Sequence, residues 1–393
     1  MALNTVSSDR LSTNVKTSTL GTELKAKVGA NKNLIINGAM QVAQRGTSST
    51  SEGFVVDRMK TLFNGTDEAP TTSQESISSS DAGPYELGFT KYLRITNGNQ
   101  TGGAGAADYI LFRQALEAQN IANSGWRSQS ATSFLTLSFW VKSSVTQTFY
   151  GNIQSVDGTQ RSFPFSFALT AGAWKKVTVK IPGNTSPTVD IDNNNGAGLY
   201  IDIWPFAGTN YTASGVTLES WATYSSSSRF ADNTTTWYTT NDATFDVTGV
   251  QLELGSVATD FEHRSLAVEK SLCSRYCQVM TSNATSERMN FANVVVHGAG
   301  NGVYIMVGLL PMRSAPSVST TGSFEASVLT GSWTATAVSS ITSEFTTANG
   351  NDRGTWGYDG MLAATLASSY TTGLSGQIFS NSGFGQFVFS AEL

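Results

Sequence analysis

The chain is poor in the residues that carry most metal and nucleophilic chemistry. Its 393 residues include only two cysteines and two histidines. Cys273 and Cys277 have no histidine pair beside them and fall short of a zinc site. Four residues apart on an expected helix, they have poor geometry for a disulfide, so both are expected to be reduced. His263 and His297 leave a Ser–His–Asp triad two possible centres. His263 is bracketed by Glu262 and Arg264, and His297 ends the apolar run of "VVVHGAG"; each reads as structural. No metal, cofactor or catalytic residue is expected, and the chain is not read as an enzyme.

Charge is scarce too. Charged residues make up 13% of the chain, against about a quarter in an average soluble domain. The net charge is −5, and no run of Lys or Arg appears, which argues against a nucleic-acid partner. No apolar stretch is long enough to span a bilayer, so no membrane insertion is expected. The opening "MALNTVSSDRLSTNVKTSTL" lacks the apolar segment of a secretory signal, which implies synthesis in a cytoplasm but does not fix where the protein works.

What fills the space is Ser, Thr, Asn and 37 Gly, with enough aromatic and aliphatic residues to build cores. This composition suits an all-β protein with polar strand faces and many turns. "FLTLSFWVK" alternates, with Leu135, Leu137, Phe139 and Val141 on one side. "WKKVTVKI" and "LYIDIW" repeat the pattern. In "FDVTGVQLEL" the apolar parity switches from Phe245 and Val247 to Val250, Leu252 and Leu254. One inserted residue near Thr248-Gly249, a β-bulge, would keep the face buried.

These signals predict an N-terminal arm over 1–30, a jelly-roll-like antiparallel β-sandwich over 31–264, a connecting helix over 265–282 and a second β-sandwich over 283–393. The arm has irregular apolar spacing and reads as a segment that orders against a partner, or as a frayed terminus. The helix is expected to bury a stripe of Val268, Leu272, Tyr276 and Val279.

Other motifs are weaker. "DIDNNNG" (190–196) begins like a calcium loop, but its glycine comes one position late and Ile201 stands where a bidentate Glu is needed. "GGAGAAD" (102–108) lacks the third glycine of a dinucleotide loop. Acidic pairs such as Asp190/Asp192 and Glu253/Glu262 exist, but sequence cannot set any pair across a cleft.

Binding is better supported. The outward parity of "LYIDIW" carries Tyr200, Asp202 and Trp204, and Trp140 has the outward parity of its own strand. Sugar rings stack on aromatics while their hydroxyls pair with acids, so these four form a candidate glycan platform; the alternative is that the rings pack under a loop or against a subunit. In the C-terminal region Trp356, Tyr358, Tyr370 and Phe384 lie among Gly, Ser and Asn as candidate tip contacts, and 283–393, read as the receptor-binding tip, is favoured for receptor contact.

"NLIINGAMQVAQRGTS" (33–48), "VDRM" (56–59) and "VTGVQLELGSVATDFEHRSLAVEKSLCSRYCQ" (247–278) together resemble a family of phage virion proteins described as tail fibres or receptor-binding proteins. "SFWVKSS", "GAWKKVTVKIPG" and "NNNGAGLYIDI" resemble strands of that family's carbohydrate-binding-type jelly roll. Asp260 stands where proline is commoner. "PMRSAPSV" (311–318) resembles part of the family's C-terminal domain. The resemblance implies a homotrimeric appendage on the virion; the arm at 1–30 is then expected to dock to a tail or capsid protein, and the appendage to touch host-surface glycans. A head fibre or capsid decoration protein and a glycan depolymerase remain the alternatives.

Overall fold

The computed structural model describes residues 32–282, 290–297, 301–330, 333–343, 359–380 and 384–393. The chain divides into two compact units. The first takes most of the chain up to Arg264. The second takes residues 265–393 together with two short upstream pieces, Val42–Thr47 and Phe54–Arg58. The sequence reading gave those pieces to the sandwich.

The strands of the first unit, in chain order, are β1 (Ser48–Ser49), β2 (Met59–Asn64), β3 (Thr71–Ser76), β4 (Lys91–Thr96), β5 (Tyr109–Glu117), β6 (Phe134–Ser143), β7 (Gln147–Ser155), β8 (Arg161–Leu169), β9 (Lys175–Pro182), β10 (Ala197–Ala207), β11 (Ala222–Thr223) and β12 (Thr244–Leu254). A short helix, α1 (Ala118–Ala122), follows β5. They build two six-stranded antiparallel sheets, ordered β1-β3-β4-β12-β6-β9 and β11-β8-β7-β10-β5-β2.

Alternation decides the faces. Phe139 of β6 meets Phe167 of β8 edge-on at 5.5 Å, and Phe149 of β7 meets Phe245 of β12 at 5.0 Å. These rings fill the space between the sheets, with Leu137, Val179, Ile201, Ile203 and Leu252 around them.

The bulge is present in β12. Pairing with β6 shifts between Thr248 and Gln251, and Gly249 has a φ of +62°. A Cβ there would come within 2.7 Å of the Phe89 ring, so glycine serves both the backbone and the packing. Val250 and Leu252 stay buried as the parity required, whereas Leu254, at the strand end, is exposed.

The stretches around Asn33 and Glu262 lock together beside β12. The Asn33 side-chain oxygen accepts from Ile35 N and Leu252 N, and its amide donates to Val250 O. Glu262 accepts from Asn33 N at 2.7 Å and from Arg264 at 2.9 Å. Buried Glu253 accepts from Gln251 and from the main chain and hydroxyl of Thr259. His263 packs against Phe89 and Phe261 as a ring among rings.

The second unit opens with α2 (Leu266–Ser274), capped by the Ser265 hydroxyl. The helix stops at Ser274, short of the expected 282. Cys277–Ser282 is instead strand β13. Of the expected stripe Tyr276 is buried and Leu272 half-buried, but Val268 is exposed, Tyr276 and Val279 lie beyond the helix, and Glu269 and Cys273 face inward. The physical reason is that β13 finds a full ladder with the last strand, Cys277 to Ser282 against Ser390 to Gly385, and extended pairing overrides the helical spacing.

The remaining strands are β14 (Asn290–His297), β15 (Gly302–Gly308), β16 (Ser317–Thr321), β17 (Phe324–Leu329), β18 (Trp333–Ser343), β19 (Asp359–Leu366), β20 (Ser375–Ser380) and β21 (Gly385–Ser390). β13, β21 and β16 form a three-stranded sheet. The others close into a barrel, β14-β15-β19-β18-β17-β20, where a second sandwich was expected. Closure follows from β20, which pairs with β14 on one side and β17 on the other. Alternation gives each strand an inner face, but not the closure of the ring.

Candidate functional site

The outer face of the second sheet brings chemistry together. Alternation sets Tyr109, Leu111 and Arg113 of β5 on the side away from the core, with Tyr200, Asp202 and Trp204 of β10 and Tyr150, Asn152 and Gln154 of β7. Asp202 stands opposite Arg113 on one neighbour and Asn152 on the other, and Trp204 stands opposite Tyr150.

Arg113 grips Asp202 with both ends of its fork, Nε to Oδ1 and Nη2 to Oδ2, each at 2.7 Å. Asp202 is fully buried and the Arg113 side chain is 21% exposed. Burial works against the guanidinium charge, but the bonds and charge of Asp202 outweigh it and raise the Arg113 pKa. The guanidinium also lies 4.2 Å from the centroid of the half-buried Tyr200 ring. The pair therefore fixes an aromatic ring at the surface. Beside it, the Asn152 oxygen accepts from Ser162, while its buried amide nitrogen has no hydrogen-bond partner.

The other end of the face is roofed by the segment that follows β10. Gly208 N donates to Asp108 O, Arg229 N donates to Tyr211 O at 2.9 Å, and a bridge joins Thr212 to Phe230. Under this roof Trp204 is 2% exposed. Phe230 meets Trp204 edge-on at 5.4 Å and stacks on Tyr150 at 5.2 Å. The Arg229 guanidinium lies 5.1 Å from Trp204, 5.5 Å from Tyr211 and 5.6 Å from Tyr224. Burial raises the Tyr109 hydroxyl pKa, and Glu52 adds to it.

The four residues expected to form one platform do not converge. Tyr200 is half-exposed on this face, as a platform residue should be. Asp202 is not a contact residue, because both its oxygens are taken by Arg113 beneath the surface. Trp204 is not a stacking surface, because Phe230, Tyr211 and Arg229 cover it. Trp140 belongs to the outer face of the other sheet, paired to Thr248 and Lys176, and lies against Gly83 of the 78–89 loop. The residues missed were Arg113, Asn152, Tyr150, Tyr211, Tyr224 and Arg229. The outward parities of "YILFRQALE" and "QTFYGNIQS" could have found the first three; the roof residues carry no periodic signal.

Of the rival set, Trp356 and Tyr358 lie outside the described residues. Tyr370 packs partly buried on the barrel core, and Phe384 is 52% exposed just before β21.

The ionisable cluster around the cysteines is a packing device of the second unit. Arg45 bonds Glu392 at 2.9 Å, and Arg58 pairs with the same carboxylate while lying 3.6 Å from the Tyr276 centroid. Gln44 donates to Asp57 at 2.6 Å and to Cys277 O at 3.0 Å. Burial, chiefly, pushes the Cys277 thiol up to about 12 and Cys273 higher still. Neither is a thiolate at neutral pH, so neither is poised as a nucleophile. In the 190–196 loop, Asp192 N donates to Asp157, and Gly196 N to Asn194. Among the described residues no group of three or more His, Cys, Asp or Glu is set to hold a metal.

No protein-family model and no curated protein matches the chain. Among solved structures, it is similar to a candidate sugar-binding protein from Bacteroides thetaiotaomicron VPI-5482, at 11% identity and a TM-score of 0.31, over 57% of this chain and 100% of that one. It is similar to the family 30 carbohydrate-binding module of the cellulosomal cellulase Cel9D-Cel44B of Clostridium thermocellum, at 13% identity and 0.24, over 55% and 92%. A cyclase from Fischerella sp. TAU gives 9% identity and 0.30, over 58% and 96%. Likeness at this level carries no argument about function, and the sandwich rests on its own strand pairing.

Proposed function

We propose that the chain is a phage virion appendage that attaches the particle to glycans on the host surface, by binding them and not by cleaving them. The glycan reading is carried by the outer face of the second sheet. Half-buried Tyr109, Tyr150, Tyr200, Tyr211 and Tyr224 stand around two arginines there. Tyrosine offers a ring for the C–H face of a sugar and a hydroxyl for its polar edge. Asn152, by contrast, is fully buried and is not a contact residue.

The virion reading rests on the resemblance of residues 33–48, 56–59 and 247–278 to phage virion proteins. Asn33, Glu262 and Arg264 close the sandwich, while Arg45, Asp57 and Arg58 tie Tyr276 and Glu392 into the second unit. The resembling stretches thus do architectural work in this chain. In this proposal residues 1–30 dock to a tail or capsid protein. Three copies on one stalk give avidity from weak sites.

The test is binding of the purified chain to immobilised bacterial surface glycans, with light scattering for mass. Tyr200→Ala should weaken binding about tenfold, the scale of one good aromatic contact, without moving the unfolding midpoint. Unchanged binding in that variant would remove the face from the proposal. A mass of one chain would remove the trimer.

A further inference from the structure

We propose that Arg229 reads an anionic group, so that the saccharide taken by this face carries a carboxylate or a phosphate. The inference rests on the glycan reading and names its substrate class.

The two arginines of the face are not equivalent. Arg113 is neutralised by Asp202 through two bonds. Arg229 forms no ion pair with any described residue. Its Nε is enclosed and has no hydrogen-bond partner. Asp232, three residues further on, accepts from the Thr212 hydroxyl at 2.8 Å, and Glu52 from Phe63 N at 2.8 Å.

The guanidinium is nonetheless held in place. Its main chain is fixed by the bond to Tyr211 O, and its plane has Trp204, Tyr211 and Tyr224 within cation–π range. A guanidinium kept on aromatic rings has lost part of its water, while its remaining N–H groups keep the planar fork that suits carboxylate and phosphate oxygens. Two half-buried tyrosines beside it can take the ring that bears the anion. A neutral sugar would leave that cation uncompensated, which costs more than an ordinary missing hydrogen bond.

The experiment titrates the full chain with two matched pairs: tetragalacturonate against its carboxyl-reduced neutral counterpart, and mannose 6-phosphate against mannose. The acidic member of one pair should bind at least about tenfold more tightly, a preference that weakens as salt is raised. A preference in the first pair assigns a carboxylate, and in the second a phosphate. Arg229→Gln should abolish the preference, and Arg229→Lys, which keeps the charge without the fork, should retain part of it. Equal binding of acidic and neutral members, with loss in Tyr200→Ala, would overturn the anion inference and leave the glycan reading standing. A preference that survives Arg229→Gln would overturn the assignment to Arg229. No binding of any saccharide here or on the immobilised glycans would sink both.

Discussion

The sandwich has two outer faces built from the same kinds of residue, and one is closed where the other is not. On the first sheet Arg94 holds Asp246 at 2.7 and 2.9 Å, and Lys142 bridges Asp246 and Asp81 at 3.4 and 2.8 Å. Trp174 donates to Asp81, and Tyr92 packs edge-on against Trp174. Every one of these charges has an opposite charge beside it, and the 78–89 loop lies on Trp140. On the second sheet one pair forms, Arg113 with Asp202, and Arg229 is left over among half-buried tyrosines. Aromatics plus charges do not by themselves make a binding surface. On the first face the cations beside the rings are compensated, and the exposed Lys176 and Lys180 lie along the β9 edge; on the second the odd cation stands among the half-buried rings themselves.

The sharpest way to break this comparison is to remove the buried acid from each face. Asp246→Ala and Asp202→Ala each strand at least one cation against a dry sheet, and each should cost about 3–5 kcal/mol in urea unfolding. The two should part company in binding. Asp202→Ala releases Arg113 and the Tyr200 ring and should weaken glycan binding. Asp246→Ala should leave it unchanged. Equal binding losses would mean that the faces are not functionally distinct.

How far the sequence foretold this can be traced in particular residues. Strand parity was legible: Tyr200, Asp202 and Trp204 do share a face, and the bulge at Thr248-Gly249 lies where the parity switch required it. Partnership across the sheet was not. Arg113 lies 89 residues before Asp202, and nothing local in either strand records that they meet. The roof over Trp204 is irregular chain, so periodicity has no hold on it. The same limit explains α2, whose last turns were claimed by a ladder with β21, at the far end of the sequence. It also explains the small pieces around Arg45 and Arg58, which join the second unit through Glu392 and Tyr276.

A smaller effect tests how tightly the first face is shut. Gly83 has a φ of +95°, and a Cβ there would come within 2.6 Å of the Trp140 ring. Gly83→Ala should therefore destabilise the sandwich by about 1–3 kcal/mol, from backbone strain and overpacking together. Tyr224→Ala, in the roof of the open face, should cost less than about 1 kcal/mol, the range of a partly exposed side chain outside the core. Equal costs would place Tyr224 in a packed layer and not on an accessible surface.

The smallest effect is a pH dependence carried by Asp81. Burial alone would raise its pKa, but the hydrogen bonds from Lys142, Trp174 and Ser78 prevail and hold the carboxyl well below the usual range. The sign follows from proton binding. Between the folded and unfolded values the unfolded chain binds more protons, so stability rises with pH across that window. The contribution is complete above the ordinary value of 3.8 and is lost as the pH falls below it toward the folded value. Urea midpoints measured at pH 5 and pH 3 should therefore drop on acidification in the native chain, and drop less in Asp81→Asn. An identical drop in both would mean that Asp246 alone compensates Lys142. The closed face would then owe its closure to one acid shared by two cations, leaving Asp81 a loop anchor only.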